Sequence, residues 1–332
     1  MQKWGDYRYH ALDYELKCRF GGKVWKLSLN GGFTCPNRDG SLGTRGCIFC
    51  SEGGSGDFAA DAACTIPQQL QQQKELQQRK VHRQHKELLS TSEKIPVEGG
   101  SPSEATFHPK YIAYFQAFTN TYAPVHILEQ LFTQAIADPE VCALSIATRP
   151  DCLPPDVIAL LSRLNTIKPV WVELGLQTIH EQTALLIRRG YPLPVYDQAV
   201  HALRRAGIEV IVHTILGLPG ETPKKTLETI DYVNQSNIQG IKLQLLHILR
   251  GTDLATLYEQ QPFHVFTQDE YTDLVIRCLE HLSPEIVIHR LTGDGPKDLL
   301  IAPLWSRGKR GVLNEINHKI ALRGTWQGRC VS

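Results

Sequence analysis

Three cysteines within one short stretch are the side chains of this 332-residue chain best suited to chemistry. Thr34 to Cys50 reads TCPNRDGSLGTRGCIFC, which sets Cys35, Cys47 and Cys50 at the spacing Cys-x11-Cys-x2-Cys. Thiolates bind Zn²⁺ and iron–sulfur clusters well, and Gly40, Gly43 and Gly46 let a short loop wrap closely around a bulky ion. The ligand count then matters. A structural zinc site is closed by four protein ligands, and no fourth Cys or His stands nearby at ribbon or finger spacing. A cubane cluster held by three thiolates leaves one iron open to a ligand from outside the protein. Cys-x-x-Cys is also the spacing of a redox pair or of half a zinc site, so the triad alone leaves zinc, cluster and plain thiols as readings.

Such a loop needs a scaffold, and the chain around it alternates short apolar runs with amphipathic ones. The runs Val24–Leu29, Tyr111–Phe115, Ala143–Ala147, Val170–Leu174, Glu209–Ile215, Gly240–Leu246 and Ile286–Arg290 predict strands. Pro154 and Pro155 precede an apolar face of Val157, Ile158, Leu160, Leu161 and Leu164 at helical spacing. Val195, Ala199, Leu203 and Ala206 continue that pattern, with Gly207 as a stop. Thr222-Pro223 opens another helix, and Thr267 with Glu270 forms a capping box for a further one. Strand and helix in repeated alternation predict an α/β fold with a parallel sheet, although periodicity does not choose between barrel and open sheet. Polar motifs fall at the carboxyl ends of these runs: FQAFTNTY with Gln116, Thr119 and Asn120; ATRPD with Thr148, Arg149 and Asp151; VELGLQT with Glu173 and Gln177 on one strand face; and HTILGLPGET with His213, Ile215 and Leu218.

Taken together, the cysteine loop and these strand-end motifs resemble the radical S-adenosylmethionine (SAM) superfamily. The long first gap of the triad and the TRPD segment are similar to the Elp3-like branch, and within it to the YhcC/YtqA-type (MnmL-like) proteins. The resemblance implies a partial (β/α)6 TIM-type barrel in which Cys35, Cys47 and Cys50 hold a [4Fe-4S] cluster whose open iron is chelated by SAM. It also implies that SAM lies against Phe49, Gln116, Thr119, Asn120, Thr148, Arg149, Asp151, Glu173, Gln177, Ile215 and Leu218. Candidates for a catalytic role are Glu173, His213 and His247. The implied chemistry is reductive cleavage of SAM to a 5′-deoxyadenosyl radical, with flavodoxin or ferredoxin as electron donor. The group's implied substrate is tRNA, at a wobble-uridine side chain converted from carboxymethylaminomethyl to aminomethyl ahead of a separate methyltransferase. A radical enzyme for a small molecule or peptide, and a non-catalytic zinc or cluster module that holds RNA, stay open beside it.

Composition sets outer limits. The formal net charge of +1 argues against wholesale polyanion binding, and nine cysteines without a disulfide-like framework point to a reducing, cytoplasmic setting. No run of about 18 apolar residues appears, so no membrane span is expected. Residues 1–23, with Tyr7, Tyr9 and Tyr14, read as a lead-in that packs over one end of the fold; residues 24–290 read as the core. Within the core, 68–107 is a polar insertion, expected as a solvated surface helix followed by a disordered loop, with His82 and His85 on a charged face. Residues 291–332 form a basic extension: from Trp305 onward Arg307, Lys309, Arg310, Lys319, Arg323 and Arg329 stand against Glu315 alone, interleaved with Trp305 and Trp326. RNA contact and a helix that closes the barrel are equally open there. Cys18, Cys64, Cys142, Cys152, Cys278 and Cys330 are scattered and read as structural.

Overall fold

The computed structural model describes residues 2–54, 56–91 and 109–331, with backbone alone for 81–91. Its strands are β1 (Val24–Leu29), β2 (Lys110–Phe115), β3 (Val141–Thr148), β4 (Val170–Gln177), β5 (Glu209–Leu216), β6 (Gly240–Leu245), β7 (Ile248–Leu249), β8 (Val287–Arg290) and β9 (Leu300–Ala302). Its helices are α1 (Leu12–Phe20), α2 (Ile66–Thr91), α3 (Val125–Ala137), α4 (Pro155–Asn165), α5 (Glu181–Leu186), α6 (Leu193–Arg205), α7 (Pro223–Gln235), α8 (Asp253–Gln260), α9 (Gln268–His281) and α10 (Lys309–Leu322).

Seven strands form one sheet in the order β1-β2-β3-β4-β5-β6-β8, and every neighbouring pair is parallel. Helical crossovers put each strand beside its predecessor, and the curled sheet stays open because β1 and β8 do not pair. This is the α/β partial barrel that the family resemblance implied, built on the seven parallel strands that the apolar runs predicted. The capping box at Thr267 and the Thr222 cap form as expected, each hydroxyl accepting from the backbone N–H three residues on. The short antiparallel pair β7–β9 was not foreseen, since runs of two and three residues carry no readable period.

The two ends of the chain close the foot of the barrel. Leu16 of α1, with Leu12 and Phe20 beside it, packs on Val24, Ile112, Ala143, Trp171 and Ile211 at the amino ends of five strands. Ala11 adds a parallel bridge to Ile288, where the Ile288 N–H donates to the His10 carbonyl at 2.7 Å. The buried Gln327 side chain accepts from the His10 N–H at 2.8 Å and donates to the carbonyls of Ser283 and Ile286. Tyr9 is buried in the main core, so packing is its role.

Two expectations about polar stretches change. The helix α2 is present, but its first turns are not solvated: as the β1-to-β2 crossover it must bury a stripe, and Ile66, Gln69, Leu70, Gln73 and Lys74 are buried. Gln69 mimics a neighbouring strand, accepting from the Asn30 N–H and donating to the Asn30 carbonyl, both at 2.9 Å. The expected disordered stretch after Thr91 and the side chains of His82 and His85 lie outside the described residues. In the extension, Lys309 pairs with Asp294, Lys319 with Asp269, Asp273 and Glu315, and Arg323 with Asp273, while Arg307 donates to the carbonyls of Lys297 and Leu300. The Trp305 indole donates to the Phe266 carbonyl at 2.9 Å. Three of the six basic residues of this stretch are thus ion-paired within the molecule, with α10 laid against α9.

Candidate active site at the carboxyl ends of the strands

Strand side chains alternate between faces, so each strand of the barrel gives every second residue to the interior. The lowest interior layer is the apolar one covered by α1. Above it comes a polar layer of Lys26, Tyr114, Ser145, Glu173, His213 and Lys242, and above that Ser28, Gln116, Ala147, Gly175, Ile215 and Gln244. These upper layers open into a cavity at the carboxyl ends of the strands, whose wall on one side is the loop with Cys35, Cys47 and Cys50.

The cysteine loop is held by distant segments. Cys35 follows β1 closely, and the Cys50 N–H donates to the Cys47 carbonyl at 3.0 Å. Arg38 returns to the carbonyls of Cys50 and Ser51, at 3.1 and 2.5 Å. The Ile48 N–H donates to the Ile187 carbonyl, and the Leu254 N–H donates to the Ile48 carbonyl. Asp253, at the start of α8, pairs with both Arg45 and Arg188. The Asn37 amide donates to the Arg188 carbonyl at 2.7 Å and reaches Cys47 Sγ at 3.5 Å. Arg149 donates to both carboxylate oxygens of Asp151 and to the Arg189 carbonyl at 2.9 Å. Gly190 sits where these meet, at φ +85°, and a Cβ there would come within 2.5 Å of Asn37 Oδ1. Gly190→Ala is therefore expected to strain the loop by about 1–3 kcal/mol and to lower iron retention after reconstitution; unchanged iron per chain and unchanged thermal stability would remove this role.

Among the sequence-derived site residues, Phe49, Gln116, Thr119, Thr148, Arg149, Glu173, Gln177, His213, Ile215 and His247 line the cavity with the three cysteines. Gln177 does so from a bulge, at φ +66°. Asn120, Asp151 and Leu218 stand behind its wall. Asn120 donates to the Ala147 carbonyl at 2.8 Å, Asp151 holds Arg149, and Leu218 belongs to an apolar cluster with Ile48, Ile187 and Ile215. The structure adds residues that the motifs did not flag: Tyr114, Arg189, Tyr191, Lys242 and Arg290 on the cavity wall, Asn37 in the cysteine loop, and Lys26 and Ser145 beneath. A usable signal existed for some of them, because Lys26 and Ser28 in VWKLSL, and Lys242 and Gln244 in GIKLQL, alternate with apolar residues.

Glu173 is the hub of the polar layer and is fully buried. One carboxylate oxygen accepts from Lys26 and from Ser145, each at 2.7 Å; the other accepts from His213 at 2.8 Å and from Lys242. Burial opposes its charge, yet Lys242, Lys26 and the His213 hydrogen bond outweigh this and hold the carboxyl well below the usual range. Burial pushes Lys242 down to about 7 against the attraction of Glu173. Burial, then Lys242, pushes His213 down to about 4, so its imidazole is neutral near pH 7. Its Nε2–H donates to Glu173, and its Nδ1 is left to accept from Gln244 at 3.4 Å. His247 is likewise pushed down to about 4 by burial, and its Nε2 is buried with no partner among the described residues.

A cysteine triad on the loop after the first strand, at the mouth of a parallel partial barrel, sets the terms for comparison with known proteins. Residues 40–233 match the model of the Radical SAM superfamily, and residues 238–321 match that of the Radical_SAM C-terminal domain. The chain belongs to the radical SAM superfamily. It is 45% identical over 322 residues to YtqA of Bacillus subtilis, covering 97% of this chain and 92% of that protein. It is 34% identical over 311 residues to YhcC of Escherichia coli, covering 93% and 91%. The archaeal Elp3 of Methanocaldococcus infernus, with an N-terminal deletion, superposes with a TM-score of 0.61 at 14% identity, over 92% of this chain and 64% of that one, a likeness of fold.

Radical SAM membership implies SAM and a [4Fe-4S] cluster, and the residues present fit both. The three thiols share one cavity, while among the described residues no three metal-ligating side chains converge as a single ion would require. Burial, and then the charge of Cys50, pushes the Cys47 thiol up to about 12, so a thiolate triad here needs a cationic centre to hold it ionised. Gln116, Thr119 and Gln177 offer hydrogen bonds and Phe49 and Ile215 apolar faces, the mixture that an amino acid joined to a nucleoside asks for.

Proposed function

We propose that this radical SAM protein acts on tRNA, converting a wobble-uridine carboxymethylaminomethyl side chain to aminomethyl before a separate methyltransferase, in the cytoplasm and with flavodoxin or ferredoxin as reductant. The observation that carries the reading is the single cavity in which the cysteine triad faces the polar interior of the barrel. When bound, the reduced cluster and SAM supply a 5′-deoxyadenosyl radical able to abstract hydrogen. This chain's part is positional. Cys35, Cys47 and Cys50 would hold the cluster, while Gln116, Thr119, Arg149 and Gln177 would orient SAM. The Glu173–Lys242–Lys26 network keeps the floor of the cavity rigid and charged. Among the described residues no helix is long and apolar enough to cross a membrane. The tRNA step rests on the resemblance to the YhcC/YtqA-type group.

The test is anaerobic turnover of reconstituted protein with tRNA that carries the carboxymethylaminomethyl group, reading deoxyadenosine and the modified nucleoside together. Aminomethyluridine formed with deoxyadenosine supports the proposal. Deoxyadenosine at the same rate with and without that tRNA, and no new nucleoside, would overturn it. The internal pairing of Lys309, Lys319 and Arg323 favours a second reading, a radical enzyme for a small molecule or peptide, because it removes much of the charge that an RNA backbone would meet.

A further inference from the structure

The cations that line the cavity have partners, with one exception among the described residues. Arg38 donates to backbone carbonyls, Arg149 is held by Asp151, Arg189 by Glu181 and the Thr178 carbonyl, and Lys242 by Glu173. The Arg290 side chain makes no hydrogen bond and no ion pair among the described residues, although it lines the same cavity. No nearby carboxylate is spare. Glu173 already accepts from four donors, and Asp294 is paired with Lys309. A guanidinium does not shed its proton, so its counter-charge has to come from what enters the cavity.

Arg290 points inward because of a local irregularity. Gly240 pairs with Val287 and Ile241 with Ile288, but Lys242 pairs with Arg290, which leaves His289 as an extra residue. His289 also faces inward, edge-on to Trp171 at 6.0 Å. In a regular strand the residue after His289 would face the helices; the bulge re-aims it into the barrel. His247 stands near by, its buried Nε2 unpartnered, beneath Gly293 and Gly295, where a Cβ would come within 2.6 and 2.7 Å of the imidazole ring. The charge of Arg290 bears on His213, Lys242 and His247, the interior residues of β5 and β6 and the residue that follows β6.

We propose that Arg290 and the Nε2 of His247 form a subsite for a carboxylate of the substrate, at the end of the cavity served by β6 and β8. A planar guanidinium fork matches a carboxylate bidentately, and the imidazole nitrogen adds a third contact. The subsite follows from the unpartnered cation; that the carboxylate belongs to a carboxymethylaminomethyl uridine rests on the function proposed above.

Calorimetry on the reconstituted holoenzyme with SAM bound tests both parts, using 5-carboxymethylaminomethyluridine, its neutral carboxamide, and N-benzylglycine as a carboxylate without a nucleoside. Arg290→Gln is expected to weaken binding of the carboxymethylaminomethyluridine about 10- to 100-fold and to leave the carboxamide unchanged, with Arg290→Lys between. Iron content and SAM affinity should match wild type. Equal binding of acid and carboxamide by wild type, equal loss of both in Arg290→Gln, or a loss of SAM affinity instead, would each overturn the subsite. If neither uridine binds while N-benzylglycine binds and loses affinity in Arg290→Gln, the subsite stands and the uridine substrate falls. Circular dichroism and melting of both variants identify a folding defect, in which case Arg290→Lys decides.

Discussion

Replacing Cys35, Cys47 and Cys50 together by alanine is expected to take iron and sulfide from about four each per chain to background, and deoxyadenosine formation from SAM with them. The physical case is that Cys35, Cys47 and Cys50 line one cavity together, whereas the scattered cysteines, among them the buried Cys152 and Cys278, do not line it. The fold itself should survive. The loop lies above the polar layer, and the apolar core on both sides of the sheet does not include these side chains. Anaerobic reconstitution, iron and sulfide assays and chromatography of the SAM products check the prediction on wild type and variant side by side. Zinc retained without iron in the wild type, or deoxyadenosine still formed by the triple variant, would show that the loop is not the cluster site.

The second large effect concerns stability. Glu173→Gln removes the only carboxylate among the described residues that faces Lys26 and Lys242 in the barrel, leaving Lys26 without a counter-charge and Lys242, already pushed down to about 7 with that carboxylate in place, as a buried and unpaired amine. Removing one partner of a buried ion pair costs about 3–5 kcal/mol, far more than the pair adds when intact. The denaturant midpoint should fall by the corresponding amount, and adding Lys242→Met to Glu173→Gln should recover a large part of it, because a buried amine without its partner is then replaced by an apolar chain of similar length. A loss below about 1 kcal/mol in the single variant would mean that water reaches this layer and screens it. The direction with pH follows from the same network. Glu173 is held below its ordinary range, so its contribution is present above the unfolded carboxyl's pKa and is lost as pH falls through the folded one.

The two halves of this molecule's information are separable. Sequence alone determined whatever depends on neighbours along the chain: the strand and helix periods, the caps at Thr222 and Thr267, the parallel α/β class, and the cysteine loop directly after β1. The motifs that carry the family resemblance also picked out ten residues outside the cysteines that line the cavity, most of them at or just beyond the carboxyl ends of strands.

Tertiary structure decided the pairings. Glu173 and Lys242 are 69 positions apart, and Asn37 and Arg188 are 151 apart, so no local pattern couples them. It also reversed one reading of charge and decided another. Gln69 and Lys74 looked solvated in a polar run but are buried as crossover contacts, and in the basic stretch from Arg307, open on sequence between RNA contact and a packed helix, Lys309, Lys319 and Arg323 are paired with Asp294, Asp269 and Asp273. The inward turn of Arg290 depends on a single extra residue in one strand register, which composition and periodicity do not record. Charge on a sequence is a property of residue type, whereas unpaired charge is a property of what the fold sets beside it.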